Sequence, residues 1–302
     1  MARRRHTVVG LGELLWDLLP TGKQLGGAPA NFAYITSLLG DDGIPASRLG
    51  QDNLGAEAAL RLTELGLPTS FVQEDASHPT GTVHVEVDSK GQPRFDICES
   101  VAWDFLEWTP EWRTLAAQAD VVCFGSLAQR SEKSRSTIRR FLRGMRPHAV
   151  RVFDVNLRLP FYSAIVLSES MSMATIVKLN HEELPTIMQL FGMEHRGEES
   201  SAQALVTHYR LKLLCVTRGS GGSLIVSADA RSEHNGFRVN VTDTVGAGDA
   251  FAAGVVHQYL HGASLAEMNE MANRVGAWVA SEAGATPVLK PGGMEKTLAE
   301  IG

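Results

Sequence analysis

A chain of 302 residues can bury a large apolar core, and 44% hydrophobic with 21% charged residues is the balance of a folded globular protein. A formal net charge of −6 excludes a basic nucleic-acid surface, and no stretch reaches the ~20 apolar residues that span a membrane. Cys98, Cys123 and Cys215 are odd in number and lack zinc-site or redox-motif spacing, so they are expected to be buried thiols in a reducing cytoplasm.

The run Arg3-Arg4-Arg5 reads as a solvated tail, because it leads into the strand-like Thr7-Val8-Val9 and not into an apolar signal segment. Val8–Leu11 is the first predicted strand. Helices follow over Pro29–Leu39, with Gly40 as the stop, and around Leu54, Ala58, Leu62 and Leu65, ended by Gly66 and Pro68. From Phe71 to Glu99 the helical pattern disappears. Two extended stretches, Thr80–Val87 and Pro93–Cys98, flank the turn sequence Asp88-Ser89-Lys90-Gly91 and read as a hairpin inserted over about 71–100, either decoration or a lid.

Val121–Phe124, Val150–Asp154, Ile176–Leu179 and Leu213–Thr217 are short apolar runs of the kind buried on both faces of a parallel sheet. Helical segments such as Ser134–Leu142 and Glu182–Leu190 lie between them. This alternation predicts an α/β fold with a mainly parallel central sheet flanked by helices, a small β-hairpin insert, and one continuous domain over 1–302. Ser264-Leu265-Ala266-Glu267 is a capping box that opens a late helix.

Two motifs carry chemistry. Asp243-Thr244-Val245-Gly246-Ala247-Gly248-Asp249 follows an extended run, Phe237–Val241, and opens a helix over Ala250–Leu260. Gly246, Ala247 and Gly248 leave the first helical amides uncovered, so N–H groups and the positive end of the helix dipole converge on an anion site suited to a phosphoryl group. Asp249, on the first turn, can face that point and accept a proton from a hydroxyl, with the dipole expected to lower its pKa. Gly26-Gly27-Ala28-Pro29-Ala30-Asn31 also enters a helix; its glycines admit a ligand to the backbone, and Asn31 offers a donor and an acceptor to a polyol.

Together these motifs resemble the ribokinase-like (PfkB) family of carbohydrate kinases over nearly the whole chain. Gly26-Gly27, Asn31, Gly40 and Gly50 fit one family signature, and Asp243 to Gly254 fits the other. Gly12-Glu13-Leu14-Leu15-Trp16-Asp17, Val101-Ala102-Trp103-Asp104, Asp154-Val155-Asn156-Leu157-Arg158 and Lys178-Leu179-Asn180-His181-Glu182-Glu183 look most like the fructokinase branch. The resemblance implies transfer of the γ-phosphoryl group of ATP to a sugar hydroxyl, fructose first, with Mg²⁺ and with room for a monovalent cation. It implies Asp249 as the base, Gly246, Ala247 and Gly248 as the anion hole, and Asp17, Gly27 and Asn31 as sugar ligands. Phe95 on the lid and Arg158 join them on the sugar side. Asn180, Thr217, Gly219, Gly222 and Asn273 would border the nucleotide, and Glu183 would reach Mg²⁺ through water.

Each role has a plainer counterpart. Asp17 is also a solvated strand-end carboxylate, Asn180 with Glu183 a helix cap, Gly219 to Gly222 a hairpin turn, and Arg158 an ion-pair partner. Trp16, Trp103 and Trp108 read as packing. Where many fructokinase-like sequences carry a Trp, this chain has Leu159-Pro160-Phe161-Tyr162, which bears on the identity of the sugar. Gly10-Leu11-Gly12 lacks the third glycine of a dinucleotide fingerprint, and no Walker A pattern is present. A non-catalytic sensor on the same fold would have no use for a base aimed at a phosphate hole. A homodimer stays open.

Overall fold

A computed structural model describes residues 5–19, 22–87, 93–158 and 160–302, with the side chains of 85–87 and 93–95 outside that description. The first half contains β1 (Thr7–Leu11), β2 (Leu15–Leu19), β3 (Gly22–Gly26), α1 (Ala28–Leu38), β4 (Asp42–Gly50) and α2 (Asn53–Glu64). Then come β5 (Val72–Asp75), β6 (Gly81–Val87), β7 (Pro93–Ile97), α3 (Pro110–Gln118), β8 (Val121–Gly125) and α4 (Glu132–Gly144). The second half continues with β9 (Val150–Asp154), α5 (Ala164–Met173), β10 (Ile176–Asn180), α6 (Glu183–Leu190), α7 (Glu198–Tyr209) and β11 (Leu213–Thr217). It closes with β12 (Ser223–Val226), β13 (Arg231–His234), α8 (Ala247–Leu260), α9 (Leu265–Ser281) and α10 (Gly293–Ala299).

Nine strands form the main sheet in the order β13-β12-β11-β10-β9-β8-β1-β4-β5. From β5 to β11 every neighbouring pair is parallel, while β12 and β13 turn back antiparallel. Successive side chains of a strand point to opposite faces, and the apolar runs fill both. Val9, Leu11, Val122, Phe124, Phe153, Val177 and Leu179 pack under α3 to α7. Val8, Val121, Val152, Ile176, Cys215 and Ile225 pack on the opposite face under α1, α2, α8 and α9. Fully burying one such large side chain is worth roughly 1.5–3 kcal/mol.

The helices begin where the sequence supplies caps: Asp52 accepts from the Gly55 amide, and Ser264 and Glu267 make the expected reciprocal box. Close approach requires Gly10, because a Cβ there would stand 1.9 Å from the Pro29 carbonyl oxygen. That contact lays the first turn of α1 directly over β1.

A second sheet has the order β3-β2-β6-β7. The expected hairpin is present as antiparallel β6 and β7, its turn at 88–92 lying outside the described residues. The other two strands come from 15–26, where no strand was expected, and β2 pairs parallel with β6. At five residues each, β2 and β3 are too short to show a clear period. The first part of the presumed insert belongs elsewhere: β5 joins the main sheet beside β4. Phe237–Val241, expected to be extended, belongs to no strand of either sheet.

Candidate active site

The strand order reverses at β1. From there the chain moves outward through α1 to β4 on one side, and it returns on the other through β8, α4 and β9. Because α1 and α4 cover opposite faces, a crevice opens at the carboxyl ends of β1 and β8, the place where open α/β sheets bind ligands. Glu13, Ser126, Asp154, Asn156 and Asp249 all line a small cavity in that crevice.

Helix α8 points its amino end into the same place. It starts at Ala247, three residues before the expected Ala250, so Ala247, Gly248 and Asp249 are its first turn. First-turn amides need no intrahelical acceptor, which is why glycine is tolerated there. Gly246 caps the helix at φ 77°, and a Cβ on it would lie 2.4 Å from that of Ala285. Among the described residues the amides of Gly248 and Asp249 meet no acceptor, leaving two free donors at the positive end of the dipole.

Asn31 Nδ2 donates to Asp249 Oδ2 at 2.9 Å, so the two signature motifs meet side chain to side chain. Asp249 is 9% exposed. Burial and the nearby Asp154 push its pKa up to about 7, outweighing Lys178, the Asn31 hydrogen bond and Arg158. The helix dipole was expected to lower this value; desolvation is the stronger effect. Beside it Lys178 is 8% exposed, and its Nζ donates to both oxygens of Asp154 at 3.1 Å. Burial opposes the ammonium, but Asp154, Asp249 and Glu183 outweigh it and hold its pKa above the ordinary value. A Cβ on Gly248 would lie 2.7 Å from Lys178 Nζ, so this cation sits against the first turn of α8.

On the side of the small sheet, Asp17 is carried by β2 opposite Gln24 of β3. Burial raises its pKa to about 6, against the pull of Arg158. A Cβ on Gly26 would stand 2.3 Å from Asp17 Oδ2, so glycine there leaves the carboxylate its place. Gly27 caps α1 at φ 114°, and a Cβ there would meet the Glu13 carbonyl oxygen at 2.4 Å. Its fit is to the backbone of Glu13. Arg158 is exposed and makes no ion pair among the described residues, yet its charge reaches Glu13, Asp17 and Asp249. Phe95 lies on β7 opposite Val85, with its side chain outside the described residues.

On the other flank, the register Asn180↔Thr217 puts these two residues side by side at the carboxyl edge of β10 and β11. Asn180 Oδ1 accepts the amides of Glu182 and Glu183, while the two Glu183 oxygens accept the amides of Asn180 and Leu157. The pair therefore caps α6 and ties it to the loop after β9. Glu183 is 7% exposed, its pKa raised by burial against Lys178 and those amides. Gly219 opens the turn between β11 and β12 at φ 57° with free space beside it. Gly222 ends that turn, and a Cβ there would meet the His234 carbonyl oxygen at 1.9 Å. Asn273 is tied inward, its Nδ2 donating to Ser223 Oγ and to Asn269, and so it braces α9 against the residue after Gly222. Among the described residues no group of three or more His, Cys, Asp or Glu could hold a metal ion.

The tryptophans pack, as expected: Trp16 Nε1 donates to the Leu54 carbonyl, Trp103 is fully buried, and Trp108 meets Phe141 edge-on. Asp104 grips Arg130 through Nε and Nη2, and the guanidinium lies over the rings of Trp103 and Phe161. Phe161, in the segment that departs from the fructokinase pattern, thus closes a cation–π stack. Three groups of the crevice had no assigned role in the sequence reading: Glu13, Asp154 and Lys178. A lysine inside the apolar strand Ile176–Asn180 is the signal that could have found the pair.

The pattern of the pfkB family of carbohydrate kinases matches residues 19–291. The fructokinase of Escherichia coli is 30% identical over 260 residues, covering 82% of this chain and 82% of its own. That of Salmonella typhimurium is 32% identical over the same length, again covering 82% of each. A crystal structure of the uncharacterized sugar kinase PH1459 from Pyrococcus horikoshii in complex with ATP aligns with a TM-score of 0.80 at 28% identity, covering 92% of this chain and 94% of that one. The family pattern covers most of the chain, from the end of β2 to the loop beyond α9, and this chain belongs to the pfkB family of carbohydrate kinases.

Proposed function

We propose that this sugar kinase transfers the γ-phosphoryl group of ATP to a hydroxyl of an unphosphorylated monosaccharide, fructose first, in the cytoplasm. One observation carries the reading: the Asp249 carboxylate, held by Asn31 at 2.9 Å, stands on the same helical turn as two free amides. A base and an anion hole on one turn suit in-line attack on phosphorus. The attacking hydroxyl oxygen forms a bond to the γ-phosphorus and gives its proton to Asp249. The bond to the bridging oxygen breaks, and its electron pair leaves with ADP. The amides of Gly248 and Asp249 and the Lys178 ammonium favour the charge that develops on the transferring group.

Asp17 and Asn31 would hold sugar hydroxyls from the lid and from α1. Carboxylates at Glu13 and Asp17 favour a neutral sugar over a sugar acid, with the Arg158 charge opposing them. The nucleotide would lie across Asn180, Thr217 and Gly219. Mg²⁺ fits this donor set only when held mainly by phosphate oxygens and water, because Glu183 already accepts two backbone amides. There the ion would neutralise charge on the β- and γ-phosphates, with Glu183 and Asn180 beneath its water shell.

Support for fructose comes from the two bacterial fructokinases, and support for ATP from the Pyrococcus complex. The cytoplasmic placement rests on three free cysteines. ADP release on adding fructose, other ketoses, ribosides or sugar acids tests the reading. Turnover highest with fructose is expected. Turnover only with an anionic sugar would overturn the assignment to a neutral substrate.

A further inference from the structure

Asp249 has a neighbouring acid that lies outside the phosphoryl-transfer step. Glu13 follows β1 directly, is 3% exposed, and its Oε2 meets no hydrogen-bond donor among the described residues. A buried carboxylate oxygen without a donor is costly, and an apolar side chain would fill the same space without that cost. Glu13 and Asp249 line one small, partly open cavity of about 10 Å³, together with Ser126, Asp154 and Asn156. Such a space holds about one water molecule.

Several elements around the cavity present a charge or a titratable group, while α1 presents only Ala28, Pro29 and Phe32. Asp249 comes from α8, Asp154 from β9, and Lys178 from β10, paired to Asp154. Arg158 acts from the loop after β9, and Cys123 of β8 is a thiol pushed well up by burial, hence neutral. Asp17 stands on the small sheet. Asp154 is matched by Lys178, and Asp249 is held at one oxygen by Asn31; the buried Oε2 of Glu13 meets no donor among the described residues.

We infer that Glu13 takes up, across this cavity, the proton that Asp249 removes from the acceptor hydroxyl. The inference rests on the proposed role of Asp249 as the base. The balance is simple: one O–H bond breaks at Asp249 as one forms at Glu13, a single water in the cavity donating one proton and accepting another. Glu13 returns its proton to solvent once products leave, and no oxidant or further reactant is needed. Burial first, and then the charge of Asp249, pushes the Glu13 pKa up to about 7, and that of Asp249 is also raised to about 7. Two acids raised into the same range exchange a proton at little free-energy cost, so the base is reset while the products are still bound.

Glu13→Gln keeps the shape and removes the acceptor. The variant should fold, bind sugar and ATP with unchanged KM, and lose about 10–100-fold in kcat. The acid limb of its kcat/KM profile should move to lower pH, because one negative charge beside Asp249 is gone. A wild-type kcat and an unmoved acid limb would overturn the inference. A readout without turnover stands beside it: in carboxyl-labelled wild-type protein one glutamate should titrate near neutral pH, and its midpoint should fall in Asp249→Asn. If all glutamates titrate in the ordinary carboxylate range, the inference fails even where the Gln variant does not fold. Asp249→Asn separates the two readings. If it abolishes turnover while Glu13→Gln changes nothing, only the relay is lost; if it leaves turnover intact, the base assignment itself falls.

Discussion

Asp249→Asn is the most informative single change, because the structure predicts opposite signs for activity and stability. Asparagine keeps the volume and can still accept from Asn31 Nδ2, which holds the carboxylate at 2.9 Å. Loss of a general base costs about 10²–10⁴-fold, so turnover should fall by at least that. Stability should move the other way. Burial and Asp154 raise the Asp249 pKa from 3.8 to about 7, so the folded protein holds this proton more tightly than the unfolded chain. Folding stability from this group is then full below about pH 4 and is lost as pH rises to about 7. At pH 8 the ionised carboxylate carries a penalty on the order of 4 kcal/mol, which asparagine lacks. The variant should therefore melt at or above the parent temperature at pH 8, with the difference closing near pH 4. Coupled ADP release and thermal melts at several pH values measure both. Near-normal kcat would refute the base; a lower Tm at pH 8 with lost activity would make Asp249 a structural residue. In the parent enzyme, kcat/KM should fall as pH drops below about 7, where the base becomes protonated.

Other substitutions test the surrounding parts. Gly248→Val would press its side chain onto Lys178 Nζ, 2.7 Å from the Cβ position, and cover the free amides; kcat should fall more than nucleotide affinity, read by single-turnover and binding titrations. Asp17→Ala and Asn31→Ala should each lower kcat/KM for the sugar by about 1–3 kcal/mol or more while the KM for ATP stays put; unchanged sugar KM in both would move the sugar site elsewhere. Lys178→Met leaves Asp154 buried without its cation and should cost about 3–5 kcal/mol in urea unfolding, most of it recovered when Asp154→Leu is added. Gly10→Ala would place a Cβ 1.9 Å from the Pro29 carbonyl oxygen, so α1 must shift and carry Asn31 with it. Stability and kcat should fall together, with overpacking costing about 1–3 kcal/mol.

Much of this was legible from residue patterns, and the failures have physical causes. Val121–Phe124 and Leu213–Thr217 announce themselves because a strand covered on both faces must be apolar throughout, and both appear as β8 and β11. The glycines of the proposed anion site were legible as a motif; packing against Ala285 requires Gly246, while a Cβ on Gly248 would crowd only Lys178. Leu15–Leu19 was not legible as a strand: its Asp17 interrupts an apolar run, and its pairing with β6 spans more than sixty residues of sequence that no local window sees. The start of α8 was placed late because a Gly-Ala-Gly run has low helix propensity, yet the first turn is where that propensity matters least. The direction of the Asp249 pKa was misjudged because a dipole can be read from a sequence and the depth of burial cannot.

That burial also bears on how an aspartate would serve as the proposed base. In water, with a pKa near 3.9, an aspartate is too weak an acceptor to draw a proton from a hydroxyl at neutral pH. Desolvation and the neighbouring Asp154 bring Asp249 to about 7, where the ionised form is still populated and binds a proton well. The same surroundings would leave it protonated and idle if nothing opposed them. Lys178 and the Asn31 amide provide that opposition, one as a charge beyond Gly248 and the other as a direct donor. Asn31 and Lys178 both favour the ionised form, so removing either should raise the pH at which activity appears. Asn31→Ala is the cleaner case, because it deletes a neutral donor and leaves the Lys178–Asp154 pair intact. Its kcat/KM profile should show the acid limb shifted to higher pH, with kcat recovering in alkaline buffer. An acid limb that stays in place while kcat falls at every pH would mean that Asn31 serves the sugar alone and leaves the base untouched.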